Sequence, residues 1–180
     1  MRKQFGFFIV AWLICLLTPT MASGIRVVIN LSEQQAYLLQ DNKVISTSPI
    51  SSGRAGWSTP RGSFHVISKD IYHRSRSFGS VVDVRGRVVN SSATPASRVP
   101  AGGHFLEAPM PFYTEFSPAV GMHSGYLPGY PASHGCVRMP RDMAALFFRR
   151  VQIGTPVTVS GSTSELTHLR RALPVVSLSQ

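Results

Sequence analysis

Residues 121–140 read GMHSGYLPGYPASHGCVRMP and carry a thiol (Cys136), two imidazoles (His123 and His134) and a guanidinium (Arg138). A thiol, a base and a glycine beside the thiol are the parts of a covalent acyl-transfer centre. A free thiol has a pKa of about 8.5 and is mostly protonated at neutral pH. A nearby imidazole can take that proton and later return it to a leaving amine. His134 lies too close in sequence to Cys136 to be the default base, and it is expected to shape the loop or to contact substrate. His123 precedes a loop rich in Gly, Pro and Tyr, is expected at a strand end facing a cleft, and is assigned as the base. Gly135 lets the backbone approach an acyl carbon without a side chain in the way. The N–H groups of His134, Gly135 and Cys136 are candidate oxyanion donors. Arg138 can hold a substrate carboxylate in its planar fork or pair with a carboxylate of the protein. Tyr126, Tyr130 and Ser133 are candidates for contact with substrate, although loop tyrosines often only pack.

The start of the chain bears on that thiol. Arg2 and Lys3 precede an uncharged apolar run, FGFFIVAWLICLL over residues 5–17, followed by Thr18-Pro19-Thr20 and a small-x-small site at Thr20-Met21-Ala22. This is the pattern of a secretory signal peptide over residues 1–22. The run is shorter than the stretch of about 20 residues that spans a bilayer, so no stable membrane insertion is expected after processing. Cys15 falls inside the segment. Its removal leaves Cys136 as a single thiol in an oxidising compartment, with no partner for a disulfide within the chain. A lone cysteine read by itself is a small buried hydrophobe. The flanking His-Gly and Val-Arg favour a nucleophile.

The sequence has 18 Lys and Arg against 8 Asp and Glu; without Arg2 and Lys3 that is 16 against 8, or +8. Residues 23–180 suit one domain with a real core. The basic residues are scattered and no nucleic-acid-binding module is recognisable, so no nucleic-acid partner is expected. An anionic polymer outside the cytoplasm matches the charge better.

The element pattern is mainly β. Strands are expected at residues 25–30, 35–40 and 43–50, with Asp41-Asn42 as the tight turn between the last two. Further strands are expected at 63–68, 119–123 and 155–160, with a hairpin over 81–89 turning at Arg85-Gly86. Residues 51–62 read as loop, and 102–116 alternate aromatic and polar residues. A helix is expected at 141–151, with Pro140 at its start, Asp142 in the first turn and Arg149 and Arg150 in the last. Residues 161–180 carry no packing signal and are read as a tail.

The hexapeptide SHGCVR (133–138), with His123 upstream, resembles the signature of the L,D-transpeptidase (YkuD-like) catalytic domain family. Ser51-Ser52-Gly53 and Thr59-Pro60-Arg61-Gly62-Ser63-Phe64 resemble its upstream S-G … T-P-x-G-x-F element. The resemblance covers residues 25–160. It implies a mainly β, sandwich-type fold with one or two short helices, a bacterial envelope location, and peptidoglycan stem peptides as substrates. It further implies a thioester on Cys136, a His123 ring held by the backbone carbonyl of Ser124, acylation by carbapenem-type inhibitors, and no metal or organic cofactor. One departure is that only nine residues, 124–132, separate His123 from Ser133. A loop that short changes how substrate is gated more than which reaction is run. The acceptor stays open: a stem amine gives a cross-link, water a carboxypeptidase, and a protein lysine an attachment to the wall. Readings from other classes are a zinc peptidase, for which the histidines are too scattered, a sortase-like transpeptidase, and a non-catalytic wall-binding protein.

Overall fold

The computed structural model describes residues 24–161. The expected signal segment, and all but the first residue of the expected tail, lie outside the described residues. In chain order the elements are β1 (Ile25–Asn30), β2 (Gln35–Gln40), β3 (Lys43–Pro49), β4 (Gly62–His65), β5 (Ser68–Asp70), β6 (Arg74–Val82), β7 (Val88–Ala93), β8 (His104–Pro109), β9 (Tyr113–Ser117), β10 (Val120–Ser124), β11 (Val137–Met139), α1 (Arg141–Arg150) and β12 (Pro156–Ser160). They form a five-stranded sheet in the order β3-β2-β1-β12-β4, a four-stranded sheet β11-β10-β9-β5, and a three-stranded sheet β7-β6-β8.

The two larger sheets face each other across the core. The period of two along a strand sends Val27 and Ile29 of β1, Ala36 and Leu38 of β2, and Val157 and Val159 of β12 to the same side. There they meet Phe116, Met122, Val137 and Met139 of the second sheet, and Ala144 and Phe147 of α1. Val28, Tyr37 and Leu39 form a smaller buried cluster on the other face of the first sheet. This double burial is why β1 reads as the near-continuous apolar run IRVVIN rather than as an alternation. The turn between β2 and β3 is built as its sequence predicts, with Asp41 and Asn42 both at positive φ (49° and 64°). Asn and Asp are among the few residues that tolerate that region.

Three elements differ from the reading above. The strand expected at 63–68 is two strands in different sheets: β4 pairs with β12, and β5 pairs with β9. Val66 is buried in the core between them, with its N–H on the Thr155 carbonyl, and the Ile67 N–H is already on Glu115 of the other sheet. The expected hairpin is real but longer, since β6 starts at Arg74 and β7 runs on to Ala93. A short strand, β11, directly follows Cys136 and lies parallel to β10, pairing Met122 with Val137 and His123 with Arg138. This pairing sets the active-site geometry.

α1 starts at Pro140 and ends with the Val151 N–H on the Phe147 carbonyl. It seals the core beneath the second sheet, leaving the opposite face of that sheet for the site.

Candidate active site

With Met122, Thr114 and Val137 turned into the core, their neighbours face outward in two rows across the second sheet. Paired residues in adjacent strands share a face. The register places Arg138, His123, Tyr113 and Asp70 in one row, and Cys136, Gly121, Glu115 and Ser68 in the next. All but Gly121 line a cavity of ≈ 850 Å³, roofed by Arg74, Ser75, Arg76, Ser77 and Phe78 of β6 and by Glu107 and Ala108 of β8. His123 on β10 and Cys136, one residue before β11, therefore stand one row apart over one cleft.

His123 is 5% exposed. Its Nδ1 lies 2.8 Å from the Ser124 carbonyl oxygen. A carbonyl only accepts, so Nδ1 carries the hydrogen and Nε2 keeps a free lone pair. Burial drives the His123 pKa down to about 4, opposed by the bond to Ser124 and helped by the charge of Arg138. The ring is thus neutral at pH 7 and able to accept a proton. Only the main chain of Ser124 takes part, as the family resemblance implied.

Cys136 is a half-buried free thiol. Burial pushes its pKa up and Glu115 adds to that; the Gly121 amide bonded to the sulfur and the Arg138 charge pull it back down. Its S–H donates to the Ala119 carbonyl at 3.8 Å. The resting pair is a thiol beside a neutral imidazole. Gly121 is fixed as glycine by this packing, since a Cβ there would meet the Tyr113 ring at 2.6 Å and the Thr114 carbonyl oxygen at 2.7 Å.

The loop that carries Cys136 is bound to residues 51–59. Ser51 exchanges both backbone hydrogen bonds with Arg138, and Gly53 bridges to Ser133. The Thr59 hydroxyl donates to the Gly135 carbonyl at 2.7 Å and accepts from the Gly53 N–H at 2.9 Å. A Cβ on Gly53 would stand 2.0 Å from the Trp57 carbonyl oxygen. These contacts give a physical reason for the S-G … T-P-x-G-x-F element: it holds the loop that carries Cys136.

The other expected site residues divide into those that face the cleft and those committed elsewhere. Ser133 is buried, its hydroxyl donating to the Cys136 carbonyl and accepting the Gly135 N–H, so it braces the loop rather than offering a group to substrate. The same bond takes Gly135 out of the oxyanion set and leaves the amides of His134 and Cys136 as candidates. Gly135 itself sits at φ +113°, a region side chains rarely adopt. His134 lines the cavity, but its Nε2 accepts from Arg54 at 2.8 Å, and its ring is stacked on Phe78 (4.2 Å) and edge-on to Trp57. It shapes the loop, and burial and Arg54 lower its pKa. Arg138 faces the cleft half-buried and has no carboxylate within ion-pair distance among the described residues. Tyr126 stands exposed at the rim of the cleft. Tyr130 does not line it; its backbone carbonyl accepts from Ser51 Oγ at 2.7 Å.

Sequence reasoning missed Tyr113, Glu115, Asp70 and His73, which line the same cavity. Cross-strand register brings them there, and no local motif signals it.

The sequence profile described as the YkuD L,D-transpeptidase catalytic domain matches residues 24–159. L,D-transpeptidase 1 of Mycobacterium tuberculosis is 31% identical over 124 residues, covering 68% of this chain and 45% of that protein. A probable L,D-transpeptidase 3 of the same species is 32% identical over 114 residues, covering 62% of this chain and 37% of that protein. The chain thus spans less than half the length of these curated relatives. Among solved structures, an L,D-transpeptidase in complex with imipenem superposes with a TM-score of 0.56 at 26% identity, over 77% of this chain and 59% of that one. An L,D-transpeptidase from Xylanimonas cellulosilytica shares the fold with a TM-score of 0.58 at 24% identity, over 79% of this chain and 63% of that one. On its profile match, its strand order and the cleft that holds Cys136 and His123, the chain belongs to the YkuD family of L,D-transpeptidase catalytic domains.

Proposed function

We propose that the chain is a periplasmic L,D-transpeptidase that acylates Cys136 with a peptidoglycan tetrapeptide stem. The observation that carries this reading is the juxtaposition of the one free thiol among the described residues and a neutral, backbone-anchored imidazole over one cleft. In the first step the thiol proton leaves the Ala119 carbonyl for His123 Nε2, and Sγ attacks the carbonyl of the third stem residue. The oxyanion takes hydrogen bonds from the His134 and Cys136 amides. The C–N bond to the terminal D-alanine breaks, the imidazolium returns its proton to the leaving amine, and a thioester remains. Arg138 is suited to the carboxylate of the departing residue. An amine from a second stem then resolves the thioester and forms a cross-link; a protein lysine would give attachment to the wall. Water in place of the amine makes the same site an L,D-carboxypeptidase.

Incubation of the chain with tetrapeptide muropeptides, followed by mass spectrometry, tests the reading. Cross-linked products support the transpeptidase, tripeptides alone support the carboxypeptidase, and unchanged substrate refutes both and favours a wall-binding protein. The periplasmic location rests on the leader pattern of residues 1–22. N-terminal sequencing of the exported protein should start near Ser23 or Gly24, and an intact Met1 in membrane fractions would overturn it.

A further inference from the structure

His134 lies two residues before Cys136, and the proposed reaction uses its amide rather than its ring. The ring is nevertheless held on three sides. Its Nε2 lies 2.8 Å from a guanidinium nitrogen of Arg54. Its face is stacked on Phe78 of β6, with centroids 4.2 Å and planes 12° apart. Trp57 stands edge-on to both rings, 5.2 Å from each. The cluster is at the surface, with Trp57 46% exposed, so burial of a core does not account for it.

Local devices bring the partners there. β6 pairs Arg74 with Pro109 and next Gly79 with Glu107, so residues 75–78 stand opposite Ala108 alone. Such a bulge re-aims side chains. The Ser75 hydroxyl closes it by accepting the Ser77 and Phe78 N–H groups at 3.3 and 3.0 Å, and the Phe78 ring meets His134. Arg54 is engaged three times. Its N–H donates to the Ser133 carbonyl at 3.1 Å, its carbonyl accepts the Trp57 N–H at 2.9 Å, and its side chain meets His134. A guanidinium only donates, so Nε2 accepts and the His134 hydrogen is on Nδ1. Burial first, then the positive charges of Arg54 and Arg138, lower the pKa of the ring and keep it an acceptor.

The backbone bond has a directional consequence. In a trans peptide the C=O and N–H point to opposite sides. With the Ser133 carbonyl turned to Arg54, the His134 N–H points away from residues 51–59, to the side on which β10 and His123 lie. Ser133 and Thr59 fix the Gly135 end of this turn. Gly135 itself, at positive φ, has no side chain with which to hold the other end. The His134 ring is the handle there.

We infer that Arg54 is a positioning residue for acyl transfer, holding the His134 ring against Phe78 so that the His134 amide stays aimed at the oxyanion. This rests on the acyl-transfer reading above and adds how one of its oxyanion donors is kept in place. Arg54 is not among the residues that line the cleft, so its effect is on the rate of the chemical step rather than on recognition of substrate.

The test compares wild type, Arg54→Ala and Arg54→Lys. Each keeps the backbone N–H at this position, so the side chain alone is read. Single-turnover acylation of Cys136 is followed over rising concentrations of a tetrapeptide donor, and separately of a carbapenem. Ring-nitrogen NMR of His134 is recorded on the same proteins. A hydrogen bond to a charged group is worth about 10-fold at the lower end of its range. Arg54→Ala should therefore lower the limiting acylation rate about 10-fold with both agents and leave the half-saturating concentration unchanged. Its His134 pKa should rise, and the Nδ1–H tautomer should lose its dominance. Arg54→Lys, which can still donate to Nε2, should recover most of the rate and the tautomer. A wild-type limiting rate in Arg54→Ala would refute the positioning role alone. A loss confined to the half-saturating concentration, or to one of the two agents, would also refute it, because it would mark contact with substrate. A wild-type chain that neither agent acylates would refute the acyl-transfer reading and this role with it, even with the His134 ring fixed in the spectra.

Discussion

At His123 one hydrogen bond and one environment decide the chemistry. The bond to the Ser124 carbonyl fixes the tautomer, and burial keeps the ring uncharged. His123→Gln should lower the acylation rate by about 10²–10⁴-fold, the usual contribution of a general base, with little change in folding. Stopped-flow acylation and circular dichroism check the two halves of that statement. If His134→Gln abolished acylation while His123→Gln did not, the roles would be reversed. The His123 pKa also fixes the sign of a stability change. In the unfolded chain the ring takes a proton as pH falls through about 6.5, whereas the folded ring resists until about 4. Between those values the unfolded state binds more protons, so stability falls as pH falls, by up to roughly 3 kcal/mol from this one group. Denaturant titrations at pH 7 and pH 4.5 should show that loss in wild type and a smaller one in His123→Gln. Cys136, His123 and Arg138 were legible in the sequence because their spacing is local. Tyr113 was not, because its place beside His123 depends on how β9 pairs with β10.

Among the elements, the short strand β11 and the loop of residues 51–59 hold Cys136 in place. Thr59 links Gly53 to Gly135 through a single buried hydroxyl. Thr59→Val keeps the volume but orphans a buried N–H and a buried carbonyl, and should cost about 1–3 kcal/mol in a denaturant titration. It should also slow acylation, as the loop loses its anchor at Gly135. Gly53→Ala should be harsher, since its new methyl would stand 2.0 Å from a backbone oxygen. The sequence motif TPRGSF was legible as a signature, but its purpose was not: threonine's reach across to Gly135 is a contact between residues 76 apart. Short strands such as Val137–Met139 escape sequence reading for a related reason. Three residues hold no period, and here the pairing with β10 and Ser51 makes them a strand. Gln35–Gln40 and Lys43–Pro49 were legible because a turn with its own residue chemistry joins them.

Across the whole molecule, the core side of the second sheet is apolar and its cleft side carries the ionisable groups. The same alternation that sends Met122, Val137 and Met139 into the core sends His123, Cys136 and Arg138 into the cleft. The core therefore positions the site. Phe147→Ala, which empties a fully buried ring beneath β10, should cost about 3–5 kcal/mol. It should reduce the fraction of acylation-competent protein at a given temperature more than the rate per folded molecule. The mainly β class and the helix were legible from alternation and from the Pro140 start. Of the roof sheet only the hairpin at residues 81–89 was legible; the rest was not, because β7 and β8 are thinly buried and carry little apolar pattern. The central claim is that Cys136 is the one covalent centre. Intact-mass spectrometry with a carbapenem, followed by peptide mapping, should find one added equivalent on the fragment containing Cys136. Cys136→Ala should give no adduct and no turnover while staying folded. An adduct on another residue, or cross-linking by the Cys136→Ala protein, would contradict the account.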